Sequence, residues 1–230
     1  TETAHTIQIN GGSANTIYMA SLGYIYQGGI LSQNNFNRYN GRVNLDSKLR
    51  PWISAGIQAS FSRGIQKDGY NGVAGIMQHV NRLNATLKPF DEDGNYLAPG
   101  SMQNPLAEAQ KNATGIYKVK TDNLNATVYF NITPIEGLSI KPLFSWRHDY
   151  QDNYAFRKIL LYDGSYNGGD NGTRYGRHNY YNWDWMTYQA VANYNKTFAQ
   201  KHNVGLLAGY EASRYMYRYT TASREGGGDN

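Results

Sequence analysis

Between Tyr39 and Ser62 the side chains alternate in character with a period of two, twice over, across one short polar break. After the break, Ile53, Ala55, Ile57, Ala59 and Phe61 share one parity, while Ser54, Gly56, Gln58, Ser60 and Ser62 share the other. Before it, Tyr39, Gly41, Val43 and Leu45 oppose Asn40, Arg42, Asn44 and Asp46. Successive side chains leave opposite faces of a pleated strand, so each run predicts a β-strand. The polar link Ser47–Pro51 between them predicts an antiparallel hairpin. A soluble sandwich also alternates, but with bulkier apolar faces on shorter strands. Runs of about ten residues, apolar outside and polar inside, are the signature of a transmembrane β-barrel.

The same pattern recurs along the chain and predicts about eight strands. Ile7 and Ile9 open it; Tyr18, Ala20, Leu22, Tyr24 and Tyr26 follow after the turn Gly11–Asn15. Tyr18 and Tyr26 stand about 26 Å apart along a strand, or about 20 Å in height at a tilt of about 40°. That approaches the apolar belt of about 25 Å between aromatic girdles. Trp52, just past its turn, is expected at the girdle on the short-turn side. Leu124, Ala126, Val128, Phe130 and Ile132 form one later apolar parity; Leu138, Ile140, Pro142, Phe144 and Trp146 form another, with Leu143 interrupting the polar parity. Met186, Tyr188, Ala190, Ala192 and Tyr194 then precede Val204, Leu206, Ala208, Tyr210 and Ala212. Short links fall at Gly11–Asn15, Ser47–Pro51, Thr133–Gly137 and Ala199–His202, and long ones fall between them. Strict short–long alternation is what a barrel with short periplasmic turns and long extracellular loops requires. The loops are expected at about 63–120 and 151–178, with a short helix at Met77–Leu87.

Composition agrees with this class. The 230 residues are 40% hydrophobic with a mean hydropathy of −0.66, and no apolar run approaches the length of a helical span. A barrel strand needs only every second residue apolar. The 21 tyrosines suit a boundary between hydrocarbon and water. With no cysteine, disulfides and thiolate metal sites are excluded. The charge of +5 is scattered rather than clustered, which argues against nucleic acid as a partner. Since the chain closes on the polar run SREGGGDN rather than on an aromatic-ended strand, the expected object is a segment of a larger barrel.

Four stretches carry a resemblance: GGSANTIYMASLGYIYQGGIL, FNRYNGRVNLDSKLRPWISAG, DEDGNYLAPGSMQNPLAEAQ and YQAVANYNKTFAQKHNVGLLAGYE. As an ordered set through residues 1–230 they resemble the SusC/RagA family of TonB-dependent outer-membrane transporters of Bacteroidetes. The resemblance implies an all-β, antiparallel outer-membrane barrel of about twenty-two strands, of which this chain supplies about eight. It also implies a plug domain outside this chain through which TonB acts, and a SusD-like surface lipoprotein as partner. Outer-membrane lipid and an oligosaccharide or peptide cargo complete the implied partners. The expected activity is import by conformational cycling, with no enzyme chemistry and no cofactor.

Site residues are sparser. The histidines His5, His79, His148, His178 and His202 are dispersed, without metal-ligand spacing. Asp91–Asn95 faintly resembles a calcium loop but reads first as a turn; Asp163–Asn171 reads first as a loop. Six Asn-x-Thr sequons, several of them on strands, reflect Asn- and Thr-rich composition. The ligand-contact candidates are Tyr181, Trp183 and Trp185, which alternate with amide or acid groups and share the parity of Thr187 and Gln189, the expected lumen face. Arg147 and Asp149 face the lumen by the same logic. The competing reading of Tyr180–Trp185 is the outer aromatic girdle. Rival functions are a self-contained small barrel with a structural or adhesive role, a soluble carbohydrate-binding sandwich, and a barrel hydrolase, for which no catalytic set is visible.

Overall fold

The computed structural model describes residues 1–31, 33–97, 103–110, 113–159, 161–162, 165–166 and 174–226. Eight strands form one antiparallel sheet in chain order: β1 (Glu2–Gly12), β2 (Thr16–Gly28), β3 (Asn35–Arg50), β4 (Ile53–Asp68), β5 (Gly115–Ile132), β6 (Leu138–Arg157), β9 (Tyr175–Phe198) and β10 (His202–Glu225). Between β6 and β9, β7 (Leu161–Tyr162) pairs with β8 (Ser165–Tyr166) as a separate small ladder. Two helices, α1 (Gly72–Arg82) and α2 (Pro105–Glu108), lie in the connection from β4 to β5.

Register turns the alternating pattern of each strand into two continuous faces. Ile9, Ala20, Val43, Ala59, Ala126, Trp146 and Met186 are successive partners across seven strands. The neighbouring row of opposite parity is Gln8, Ser21, Arg42, Ser60, Asn125, Arg147, Trp185 and Tyr215. A slip of one residue anywhere would exchange the two faces, so the pattern fixes the pairing. Among the described residues nothing covers the apolar face. Among the described residues the buried hydrophobic side chains are Ile76, Ala107 and Ala155, two of them in the helices. Ile7 is 73% exposed and Leu22 is 69% exposed, although both lie mid-strand. A sheet with one apolar face must bury it against something. Among the described residues no layer does so. Of the described residues, β1 pairs only with β2 and β10 only with β9, so the sheet is open rather than an eight-stranded closed barrel.

The short-turn rim is built by local chemistry. Ser13 Oγ accepts from the backbone N–H groups of Asn15 and Thr16, closing the β1–β2 turn. The β3–β4 turn falls at Pro51–Trp52, later than expected, because β3 runs to Arg50 through an irregularity between Lys48 and Arg50. Gly137 has φ +84°, and an added Cβ would lie 2.4 Å from the Asn195 carbonyl oxygen, so this turn requires glycine. Ala199 and Gln200 close the β9–β10 turn at φ 50° and 56°, a left-handed geometry that costs non-glycine residues energy.

The long-loop rim departs from the expected boundaries. β4 continues to Asp68, β5 begins at Gly115, β6 continues to Arg157 and β9 begins at Tyr175. The strands therefore run past the end of their apolar alternation. The helix spans Gly72–Arg82 rather than Met77–Leu87: Ile76 is its buried anchor, and Leu83 is already extended. Two buried polar residues organise this connection. Asn104 donates to the carbonyls of Pro89 (2.8 Å) and Leu97 (2.9 Å) and caps α2 by accepting from Leu106 N–H. Glu108 is fully buried, and its carboxylate meets His79 Nδ1 at 2.6 Å and the Asn71 amide, which ties α2 to α1.

Candidate ligand-binding face

On the polar face, toward the long-loop rim, β6 and β9 bring five predicted residues together. Arg147, Asp149, Tyr181, Trp183 and Trp185 occupy adjacent rows: Arg147 opposes Trp185, Asp149 opposes Trp183, and Gln151 opposes Tyr181. Asp149 is buried, so its carboxylate must be satisfied. Arg147 supplies Nε (2.9 Å) and Nη2 (2.7 Å) to Oδ2, and Asn123 Nδ2 donates to Oδ1 at 2.8 Å. Ser62 Oγ in turn donates to Asn123 Oδ1 at 3.4 Å. With its charge held this way, the Arg147 guanidinium lies over the Trp185 ring, 4.8 Å from its centre.

Three further aromatic residues complete the cluster. Tyr215, Tyr217 and Tyr219 on β10 oppose Trp185, Trp183 and Tyr181 in register. Their ring centres lie 5.2, 5.7 and 4.8 Å from those partners, and Tyr181 stacks on Trp183 at 5.6 Å with planes 4° apart. The result is a two-column aromatic ladder with an arginine at one foot. At the other end, Tyr219 Oη and Thr221 Oγ1 donate to the buried Asn179 at 3.4 and 2.7 Å. The three β10 tyrosines are absent from the predicted set, although the odd parity of Tyr215, Tyr217 and Tyr219 was readable; reading β10 for its apolar parity alone hides them.

The described residues offer binding chemistry. None of their His, Asp or Glu side chains forms a group of three placed to hold a metal ion. Asp91 is consumed by its own turn: Oδ1 accepts from the N–H groups of Asp93 (3.0 Å) and Asn95 (2.7 Å), and Oδ2 from the Asn95 amide (2.9 Å). Those donors, the Asn95 side chain first, hold its carboxyl below the usual range. Asp163–Asn171 falls largely outside the described residues. His148 and His178 sit on the outward face, with Asp184 at 2.8 Å and Asp152 at 2.7 Å, apart from the ladder.

An open antiparallel sheet with one uncovered apolar face and one polar, aromatic-bearing face defines a segment of a transmembrane β-barrel wall. No family model matches the chain. TonB-dependent receptor P39 of Formosa agariphila is 25% identical over 216 residues, which is 93% of this chain and 20% of that protein. TonB-dependent receptor SusC of Bacteroides thetaiotaomicron is 30% identical over 131 residues, covering 46% of this chain and 13% of its own length. The structure of the RagAB peptide importer in its closed-closed state matches with a TM-score of 0.75 and 25% identity, over 97% of this chain and 25% of that one. Over nearly its whole length the chain is thus similar to a stretch of the barrel of SusC/RagA-type TonB-dependent transporters. It spans about a fifth of the length of the TonB-dependent receptor P39.

Proposed function

We propose that this chain forms part of the wall of an outer-membrane importer that takes up an oligomeric nutrient, glycan or peptide, by a TonB-driven cycle without covalent chemistry. The observation that carries the proposal is the uncovered apolar face that runs unbroken from Ile9 to Met186 across seven strands. Lipid is the partner that an apolar face of this extent requires. The polar face then lines the lumen, and the connections at 69–114 and 158–174 stand outside the cell. In this reading residues 1–230 are barrel wall alone, the plug and its TonB contact lie elsewhere in the transporter, and a SusD-like lipoprotein meets the long-loop rim. Arg147, Asp149, Tyr181, Trp183 and Trp185, with Tyr215, Tyr217 and Tyr219, contact passing cargo. Stacking and Tyr hydroxyl bonds suit sugar rings and peptide side chains alike. RagAB, named as a peptide importer, favours peptide as the first cargo to test.

The test is uptake by cells carrying the full-length transporter. Trp183→Ala with Trp185→Ala is expected to reduce uptake of a labelled peptide mixture while the barrel stays folded and in the membrane. Protease added to intact cells is expected to cut within 69–114. Cutting confined to Pro51–Trp52 would reverse the topology and overturn the proposal.

A further inference from the structure

The outward face carries a second feature just beyond its apolar belt. Register places Arg63 and Lys67 of β4 and Lys118 and Lys120 of β5 on the same parity as Phe61 and Leu124. Asp122, the carboxylate within this group, is already engaged: Arg63 Nε and Nη2 reach it at 2.6 and 2.9 Å, and Lys120 Nζ at 3.4 Å. On the next strand Asp152 opposes Lys120 in register but is paired with His178 at 2.7 Å. Lys67 and Lys118 are direct cross-strand partners, and neither has a carboxylate among the described residues. Like charges placed opposite one another destabilise a strand pair unless an anion lies between them.

Immediately toward the short-turn rim the apolar face is notched. Gly41 stands between Leu22 and Phe61 in one row, and Ala20 and Ala59 flank Val43 in the next. Ile7, Ile9 and Leu124 complete the walls of a groove of about 530 Å³. The Arg63 guanidinium caps its rim, 5.7 Å from the Phe61 ring centre. An apolar groove therefore leads directly into a run of cations. Arg63 opposes Asp122, Lys120 opposes Ile65 and Lys67 opposes Lys118, so the four cations occupy three successive outward rows that span about 13 Å from Arg63 to Lys67 along β4.

We propose that this groove and patch bind a phosphorylated, multiply acylated glycolipid of the outer leaflet, with an acyl chain in the Gly41 notch and separate anionic groups at the two ends of the cationic run. A single phosphate is too small to reach from Arg63 to Lys67 at once. The proposal rests on the reading of this face as lipid-facing, with the long-loop rim outermost.

The test uses the full-length transporter purified in detergent and titrated, by native mass spectrometry, with diphosphoryl lipid A or with phosphatidylethanolamine. A heat-shifted gel band verifies folding of each variant. A nitroxide at position 57 of the same preparation, in liposomes, reports lipid exposure separately, so a failure of the barrel reading is seen apart from a failure of the site. Lipid A is expected to bind more tightly than phosphatidylethanolamine. Lys67→Glu with Lys118→Glu is expected to weaken lipid A at least about thirtyfold, from roughly tenfold or less per cation removed near a charged surface, and Lys67→Gln with Lys118→Gln by less. Gly41→Leu fills the notch; its Cβ would meet Leu22 Cδ2 at 3.4 Å, an ordinary contact, so the fold tolerates it. It is expected to lower lipid A binding severalfold. Unchanged lipid A affinity in both the glutamine pair and Gly41→Leu, or equal binding of phosphatidylethanolamine by the parent protein, would overturn the proposal.

Discussion

Each strand of this sheet has two halves that obey different rules. In the half near the short turns, one parity is apolar and the other polar, as in Ile53–Ser62. In the half near the long loops, both parities are mainly polar or aromatic, with isolated aliphatic residues such as Ile65 and Val119. On β9, His178, Tyr180, Asn182 and Asp184 face outward while Asn179, Tyr181, Trp183 and Trp185 face inward. Hydrogen-bonded pairing does not change between the halves; β9 and β10 stay in unbroken register from Phe198 to Tyr175. Alternation of hydrophobicity therefore reports what solvates each face, not whether the chain is a strand. Where hydrocarbon ends, the alternation ends, and the strand continues into water. The energetics change with it, from non-directional apolar burial to specific hydrogen bonds and ion pairs such as Arg63–Asp122 and Asp149–Arg147.

Substitutions can break this contrast, beginning with the strongest. Ile57→Arg puts a charge on the outward parity of the short-turn half, where midplane arginine costs about 2–4 kcal/mol. Its neighbour Gln58→Arg is expected to cost far less, and unfolding of the two variants from liposomes in denaturant measures the gap. Second, Glu108→Ala leaves His79 and Asn71 without their buried partner, a loss of about 1–3 kcal/mol. Because this clasp lies in the long-loop connection, limited proteolysis is expected to show faster cutting within 69–114 and an unchanged barrel core. Third, Trp185→Ala removes the surface beneath Arg147 and is expected to weaken binding of the proposed cargo about tenfold, as truncated aromatic anchors do; calorimetry with the peptide mixture used in the uptake test reads it. Smallest is Arg63→Gln. The Arg63–Asp122 pair is partly solvent-exposed, so stability is expected to fall by only about 0–1 kcal/mol.

The same contrast explains what the sequence disclosed. Fold class, strand order and the placement of the short turns, apart from the late β3–β4 turn, were legible because all three depend on the half that meets the apolar phase. Ile53–Phe61 and Leu124–Ile132 could be paired on paper, and they are partners in the sheet. The strand extensions to Asp68 and Arg157 were not legible, since isolated apolar residues such as Ile65 and Phe156 among polar ones leave no period to mark them. The helix was misplaced for a related reason. Gly72 and Gly75 weaken its local propensity, and the burial of Ile76 under tertiary contacts outweighs that. The candidate site was half visible. Parity placed Arg147, Asp149, Tyr181, Trp183 and Trp185 on one face, but the Asn123 bond to Asp149 and the β10 tyrosines depend on cross-strand register. Leu207 breaks the simple rule: it lies on the inward parity, yet is 76% exposed.

The central claim is that lipid covers the face bearing Ile57 and water the face bearing Gln58. This chain contains no cysteine, so a single one at either position labels one site within it. Nitroxides at 57 and at 58 of the transporter in liposomes are compared by power saturation with oxygen and with a water-soluble nickel chelate. The label at 57 is expected to be relaxed by oxygen and shielded from the chelate, and the label at 58 to show the reverse. Equal accessibility of both labels to the chelate would contradict the account.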